Sequence, residues 1–142
     1  MTAAADSLER FVEAQADTYA SALAEIRRGA KRGHWMWFVF PQLTGLGRSA
    51  TAQFFAIRSA AEARAYLAHP LLGPRYFECV AALQNLPGSD PAAIFGTVDA
   101  MKLRSSLTLF EHMTRHSLLA AALDRWFDAT RDQATLRLLG AG

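Results

Sequence analysis

The sequence predicts an all-α fold: one multi-helix domain of short helices packed around a central aromatic-rich segment. Pro and Gly divide the chain into many short stretches, and Asp, Ser or Thr stands where helices should begin. Within those stretches apolar residues recur three and four positions apart, the period of a helix face.

Asp6 followed by Glu9 has the pattern of a capping box, in which each side chain satisfies a free backbone N–H where a helix begins; Leu8, Phe11 and Val12 supply its apolar face. Asp17 is placed to cap a second helix through Tyr19, Ala22, Leu23 and Ile26. Arg27 and Arg28 complement its dipole, and Gly29 suits a left-handed stop. Residues 34 to 43, His34-Trp35-Met36-Trp37-Phe38-Val39-Phe40-Pro41-Gln42-Leu43, show no clean period, so a buried helical turn and a short strand both fit. Thr44-Gly45-Leu46-Gly47-Arg48 carries the glycines of a tight turn, and Ser49 is placed to cap a segment with Phe54, Phe55 and Ile57.

Ser59 and Glu62 form a cleaner capping box for a helix through Ala63, Tyr66 and Leu67. It ends before Pro70, because the residue ahead of a proline disfavours helical angles. Pro74 suits the first turn of the next helix, with Phe77, Val80, Ala81 and Leu83 as its core stripe and Pro87-Gly88 as its stop. Asp90-Pro91 begins a short helix that ends near Phe95-Gly96, and Thr97 or Asp99 opens a longer one through Leu103, Leu107 and Phe110. Ser117 caps a helix with Leu118, Leu119, Ala122, Leu123 and Trp126 on its face, and Asp132, Leu136 and Leu139 mark a short final helix. No repeat, low-complexity tract or linker interrupts this order, so residues 1–142 read as a single domain.

Composition narrows the function classes. With 142 residues, 51% hydrophobic and 20% charged, the chain is not a disordered protein and can bury about two thirds of its unfolded surface. A net charge of +2 without a polybasic arm gives no reason to expect a nucleic-acid partner. Cys79 is the one cysteine, so no internal disulfide is expected; with no secretory pattern at the start, the expected location is cytoplasmic. No apolar run approaches the length of a membrane span. The chain has no phosphate-binding Gly-rich loop with Lys-Ser or Lys-Thr, no nucleophile elbow and no His-Glu-x-x-His. His112 and His116 have the spacing of a metal pair, but only Glu111 stands near them and a histidine at a helix end also complements the dipole. Neither a metal nor a cofactor is expected.

The stretch from His34 to Ser49 is the most unusual in the chain, since two tryptophans, two phenylalanines and a histidine fall within its first seven residues. Its ordinary place is the core, because aromatic rings dominate the packing of small domains. A functional reading stands beside this one: Trp35 or Trp37 stacks a flat ligand in a pocket whose polar groups include Gln42 and His34. The turn ending in Arg48 and Ser49 can offer backbone N–H groups and a guanidinium to an anion, although an ordinary capped turn has the same residues. His69-Pro70-Leu71-Leu72-Gly73-Pro74-Arg75 is a rigid turn, and Glu78 follows Arg75 on one helix face. A simple ion pair is the plain reading there and a catalytic carboxylate the sharper one. Asp99, Lys102 and Ser106 share a helix face, with Ser105 and Thr108 nearby. A lysine beside hydroxyls can hold phosphate or, desolvated, act in catalysis; a solvated face is the bland alternative.

The run from His34 to Leu43, followed by Gly45-Leu46-Gly47-Arg48-Ser49, resembles the signature of the uncharacterised bacterial and fungal family catalogued as domain of unknown function 1810. Tyr66-Leu67-Ala68-His69-Pro70 with Leu72-Gly73, Arg75 and Glu78 resembles that family in order and spacing. So do Ile94-Phe95-Gly96, Asp99, Lys102-Leu103, Ser105-Ser106 and Thr108-Leu109-Phe110. The resemblance spans nearly the whole chain and implies a compact helical domain. It assigns no activity and no catalytic residue. Some relatives carry the label calpastatin, but those inhibitors are disordered and repetitive, unlike this aromatic-rich, repeat-free chain.

Two functions from different classes follow. In the first, the protein binds, and acts by hydrolysis or group transfer on, a small anionic, nucleotide-like ligand. Trp35 or Trp37 stacks its ring, and Arg48, Arg75 and Lys102 meet its charge. Gln42, Ser49, Ser105, Ser106 and Thr108 supply hydrogen bonds, and His34, His69, Glu78, Asp99 and Lys102 are candidates for proton transfer. This reading requires groups distant in sequence to meet at one concave surface. In the second, the same polar residues fix the fold through buried hydrogen bonds, and an exposed Trp126-Phe127 patch binds a protein partner or a second copy of the chain.

Overall fold

The computed structural model describes residues 8–140. Ten helices follow one another in the described chain: α1 (Glu9–Ala16), α2 (Tyr19–Arg28), α3 (Met36–Val39), α4 (Ala50–Phe54), α5 (Ala60–Ala68), α6 (Leu72–Gln84), α7 (Pro91–Phe95), α8 (Thr97–Thr114), α9 (Ser117–Phe127) and α10 (Gln133–Leu138). Among the described residues there is no β-strand. One isolated parallel bridge joins Leu43 to Ile57 and ties the two ends of the Gly-rich turn together. No described helix is long and apolar enough to cross a membrane.

Several helices start where the side chains foretell. Ser49, Ser59, Asp90 and Asp132 each accept a hydrogen bond from a free N–H of the first turn, of Ala52, Glu62, Ala92 and Thr135 respectively. Gly29 closes α2 in the left-handed region, at φ 73°. Other starts differ. Asp6 lies outside the described residues. Asp17 ends α1 rather than capping α2, because the two helices are separated by only Asp17 and Thr18 and the second of these is the N-cap. Arg115 turns left-handed at φ 54°, so the chain re-enters a helix with His116 as its cap, its Nδ1 accepting from Leu118 N–H; Ser117 is already the first helical residue. Among the contacts of the described residues, Glu62 does not reach back to Ser59. Its carboxylate accepts from Arg58 N–H at 3.1 Å and pairs with Arg10 at 2.7 Å, both side chains being buried.

The aromatic segment resolves as a single helical turn, α3, with Trp35, Met36, Val39 and Phe40 buried. α8 is the central helix. It packs against α3, α5, α7, α9 and α10 and is buried along residues 105 to 111, which is why its sequence shows little sidedness. Around it Tyr66, Tyr76 and Phe110 meet in tilted and edge-on contacts, with ring centroids 4.7 to 6.3 Å apart. The buried stripe of α6 is Tyr76, Cys79, Val80 and Leu83, with Phe77 half-buried and Ala81 exposed. That helix packs on α2, α5 and α9 at once, so its buried arc is wider than and rotated from the stripe read from spacing. Trp126 is buried and donates its indole N–H to Gln84 Oε1 at 2.8 Å, so of the expected Trp126-Phe127 patch only Phe127, itself half-buried, reaches the surface.

Candidate functional site

A cleft of about 420 Å³ opens where α3, the Gly-rich turn, α8 and the start of α10 meet. The depressions beside Arg27 and Glu78 and beside Thr44 and Arg58 hold about half that space, 210 and 230 Å³. Trp37 and Gln42 enter the cleft from the aromatic segment; Leu46, Gly47, Arg48, Ser49 and Ala52 come from the turn and α4. From α8 come Val98, Met101, Lys102 and Ser105, and from the start of α10 Asp132 and Ala134. A Cβ on Gly47 would stand 2.5 Å from the Ala52 side chain, so only glycine lets the turn close against α4 and bring Arg48 and Ser49 to the wall.

Two lysines share one carboxylate behind this wall. Lys102 Nζ lies 4.5 Å from the Trp37 ring centroid and 3.3 Å from Asp99 Oδ1. The other oxygen of Asp99 holds Lys31 at 2.7 Å, and Lys31 sits 5.0 Å from the Trp35 ring while donating to the Gly33 carbonyl. At the opposite wall Asp132 is fixed on one side. Its Oδ2 accepts from Ser105 Oγ at 3.1 Å, from Thr135 N–H at 3.2 Å and from the Thr135 hydroxyl, while its own N–H donates to buried Thr108 Oγ1 at 2.9 Å. Oδ1 has a long contact with Arg104, at 4.0 Å, and the buried Nε of Arg104 has no hydrogen-bond partner among the described residues.

Six residues singled out from the sequence, Trp37, Gln42, Arg48, Ser49, Lys102 and Ser105, therefore line one concave surface, with Asp99 directly behind Lys102. The others lie elsewhere. Trp35 is 1% exposed in the core, its indole N–H donating to Glu25 Oε1 at 2.9 Å. His34 is exposed outside the cleft. His69 Nδ1 accepts from Leu71 and Leu72 N–H where α6 begins. Arg75 stacks on Tyr19, 4.5 Å from its centroid, and donates to Gln15 Oε1, whereas Glu78 accepts from the Tyr19 hydroxyl; no ion pair joins Arg75 to Glu78 among the described residues. Ser106 is buried against the Tyr76 hydroxyl at 2.9 Å, and Thr108 acts from beneath the cleft by holding Asp132. The sequence placed Asp132 only as a marker of the short final helix. Its bond to Ser105 spans 27 positions, and neither a period nor a local motif reports a contact that long.

The marked displacements of acidity lie outside the cleft. Burial pushes the hydroxyls of Tyr19, Tyr66 and Tyr76 upward, helped at Tyr19 by its bond to Glu78. Burial also pushes the Cys79 thiol up to about 12, so it stays protonated at neutral pH and is no nucleophile. These groups knit α2, α5 and α6 into the core. Among the described residues no three His, Cys, Asp or Glu side chains gather as a metal-binding group.

The comparisons with known proteins agree with this architecture. Among curated proteins none matches. The chain is 47% identical to the conserved hypothetical protein Rv1873 from Mycobacterium tuberculosis, whose crystal structure superposes with a TM-score of 0.92 over 95% of this chain and 97% of that one. The family described as "Protein of unknown function (DUF1810)" matches residues 5–139, a span that takes in the aromatic segment, the Gly-rich turn and every wall of the cleft. The chain thus belongs to the DUF1810 family, as the run from His34 to Ser49 foretold.

Proposed function

We propose that the cleft binds a small anionic, nucleotide-like ligand, with Lys102 and Arg48 meeting its charge and Trp37, Gln42, Ser49 and Ser105 orienting it. The observation that carries this reading is convergence: residues from position 37 to position 105 bring an indole, an amide, two hydroxyls and two cations to one concavity. Its size falls in the range of small-molecule sites. Around it Lys31, Lys102, Arg48 and Arg104 outnumber the carboxylates of Asp99 and Asp132, and an anion offsets the excess. Lys102 is also loosely held, by one carboxylate oxygen at 3.3 Å and a ring face, so turning its ammonium to a ligand breaks little.

The test is calorimetry and thermal shift with AMP, ADP and uncharged adenosine. The phosphorylated compounds are expected to raise the melting temperature dose-dependently, and adenosine is not. Lys102→Ala and Arg48→Ala abolish the shift, whereas Arg75→Ala, outside the cleft, retains it. Absence of any shift in the unaltered protein, or equal shifts with and without Lys102, overturns the reading.

A further inference from the structure

Among the described residues Asp132 is the one carboxylate that lines the cleft, and its two oxygens are unequally used. Oδ2 accepts from Thr135 N–H, from the Thr135 hydroxyl and from Ser105 Oγ, whose one proton it shares with the Met101 carbonyl, so three donors crowd this oxygen. Oδ1, among the described residues, has only Arg104 at 4.0 Å, beyond hydrogen-bond distance. The side chain is 15% exposed and Oδ1 is not among the buried atoms that lack a partner, so this oxygen is open to the cleft and free to take a ligand's donors. The geometry is rigid, because Thr108 holds the Asp132 backbone from the central helix.

Resting on the anion-binding reading above, we infer that Asp132 Oδ1 accepts hydrogen bonds from sugar hydroxyls, so that the ligand is a phosphorylated ribosyl group, free or within a nucleotide. A cationic guest at Asp132 is disfavoured by Arg104 beside it and by Lys102 and Arg48 in the same cleft. Neutral O–H donors satisfy the oxygen without adding to that charge. Lys102 and Ser105 stand three positions apart on α8, about 4.5 Å of axial rise. The residue that meets the anion and the one bonded to Asp132 thus stand about one turn apart on the same helix. One end of the cleft takes the phosphoryl oxygens, and the other takes the ring hydroxyls.

The test measures binding of AMP, 2′-deoxy-AMP, 3′-deoxy-AMP, ribose 5-phosphate and inorganic phosphate to the full chain and to Asp132→Asn. Asparagine keeps an oxygen for Thr135 N–H and is an equal cap, so the variant retains its fold, which circular dichroism checks. It replaces the acceptor at Oδ1 with a donor. Removing a ribose hydroxyl and substituting Asp132 are each expected to weaken AMP binding about tenfold, without adding to one another, while the substitution does not weaken phosphate binding. Parallel loss for ribose 5-phosphate shows that the sugar phosphate suffices; loss confined to AMP shows that the base is required as well. If the deoxy compounds bind like AMP and Asp132→Asn changes nothing, yet Lys102→Ala still abolishes binding, the hydroxyl assignment falls and the anion site stands. If no phosphorylated probe binds the unaltered protein, both fall.

Discussion

Trp35 and Trp37 stand two positions apart, each with a lysine over its ring, and Asp99 holds both lysines. Their fates are opposite. At about 100° per residue, two steps along a helical turn swing a side chain most of the way to the other side. Trp35 accordingly packs on Phe40 and Phe95 and is 1% exposed, while Trp37 is half-buried and forms a wall of the cleft. The indole N–H of Trp35 is spent on Glu25, and the head of its lysine is buried too, with 6% of the Lys31 side chain exposed against 20% for Lys102. Residue type is the same at the two places; burial and saturation of hydrogen bonds divide a structural group from one able to meet a ligand.

The sharpest way to break this contrast is to truncate each ring. Trp35→Ala is expected to cost about 3–5 kcal/mol, the range for emptying a large aromatic site in a packed core. Trp37→Ala is expected to cost about 1–2 kcal/mol, because its ring is half-buried rather than enclosed, and to abolish the ligand-dependent rise in melting temperature. Urea denaturation of both variants reads the difference directly. Equal losses would make Trp37 a core residue and leave the cleft without its aromatic wall.

The same contrast explains what the sequence made legible. Caps and stops are local, so Ser49, Ser59, Asp90, Asp132 and Gly29 could be read from neighbours within four positions. The period of α6 misled by a partial turn, because three helices pack on it and no single face is the buried one. For the cleft, residue type and the family signature picked out Lys102, Arg48, Ser49, Gln42 and Trp37, which the fold assembles. They also picked out Ser106, Arg75, Glu78 and His69, whose hydrogen bonds are used within the framework. Chemistry that suits a ligand suits a buried network equally well. Only the fold decides between them, through contacts such as that of Asp132 with Ser105 that no local pattern encodes.

A smaller effect is expected at the carboxylate that joins the two tryptophan regions. Asp99→Asn removes the charge facing Lys31 at 2.7 Å and Lys102 at 3.3 Å. Lys31 bears the larger loss, since its ammonium stays buried with only the Gly33 carbonyl and the Trp35 ring for company. The expected cost is about 1–2 kcal/mol, below that of a fully buried pair because Asp99 is partly exposed. Combining it with Lys31→Met, which removes the stranded charge, should restore most of the stability. If the loss persists in that background, it arises at Lys102, and the cleft lysine is more firmly held than its geometry indicates.

The smallest expected effect concerns the anchor of Trp35 and carries a distinctive pH dependence. Glu25 Oε1 receives three donors: Arg32 N–H at 2.7 Å, Gly33 N–H at 2.9 Å and the Trp35 indole at 2.9 Å. Partial burial pushes the Glu25 carboxyl up, but the bonds from Gly33, Arg32 and Trp35, with the charge of Arg28, outweigh it and hold the group below its ordinary value of 4.5. A depressed carboxyl contributes fully above the unfolded value; that contribution declines as pH falls through the folded value, where the native carboxylate takes up its proton. Glu25→Ala is therefore expected to lower stability by about 1 kcal/mol at neutral pH, with the gap to the unaltered protein narrowing once the pH drops below 4.5. Thermal unfolding across that window separates two origins for the hold on Trp35. A narrowing gap assigns it to the charge on the carboxylate. A gap that stays constant assigns it to packing of the glutamate stem, in which case Trp35 is kept in the core by shape alone.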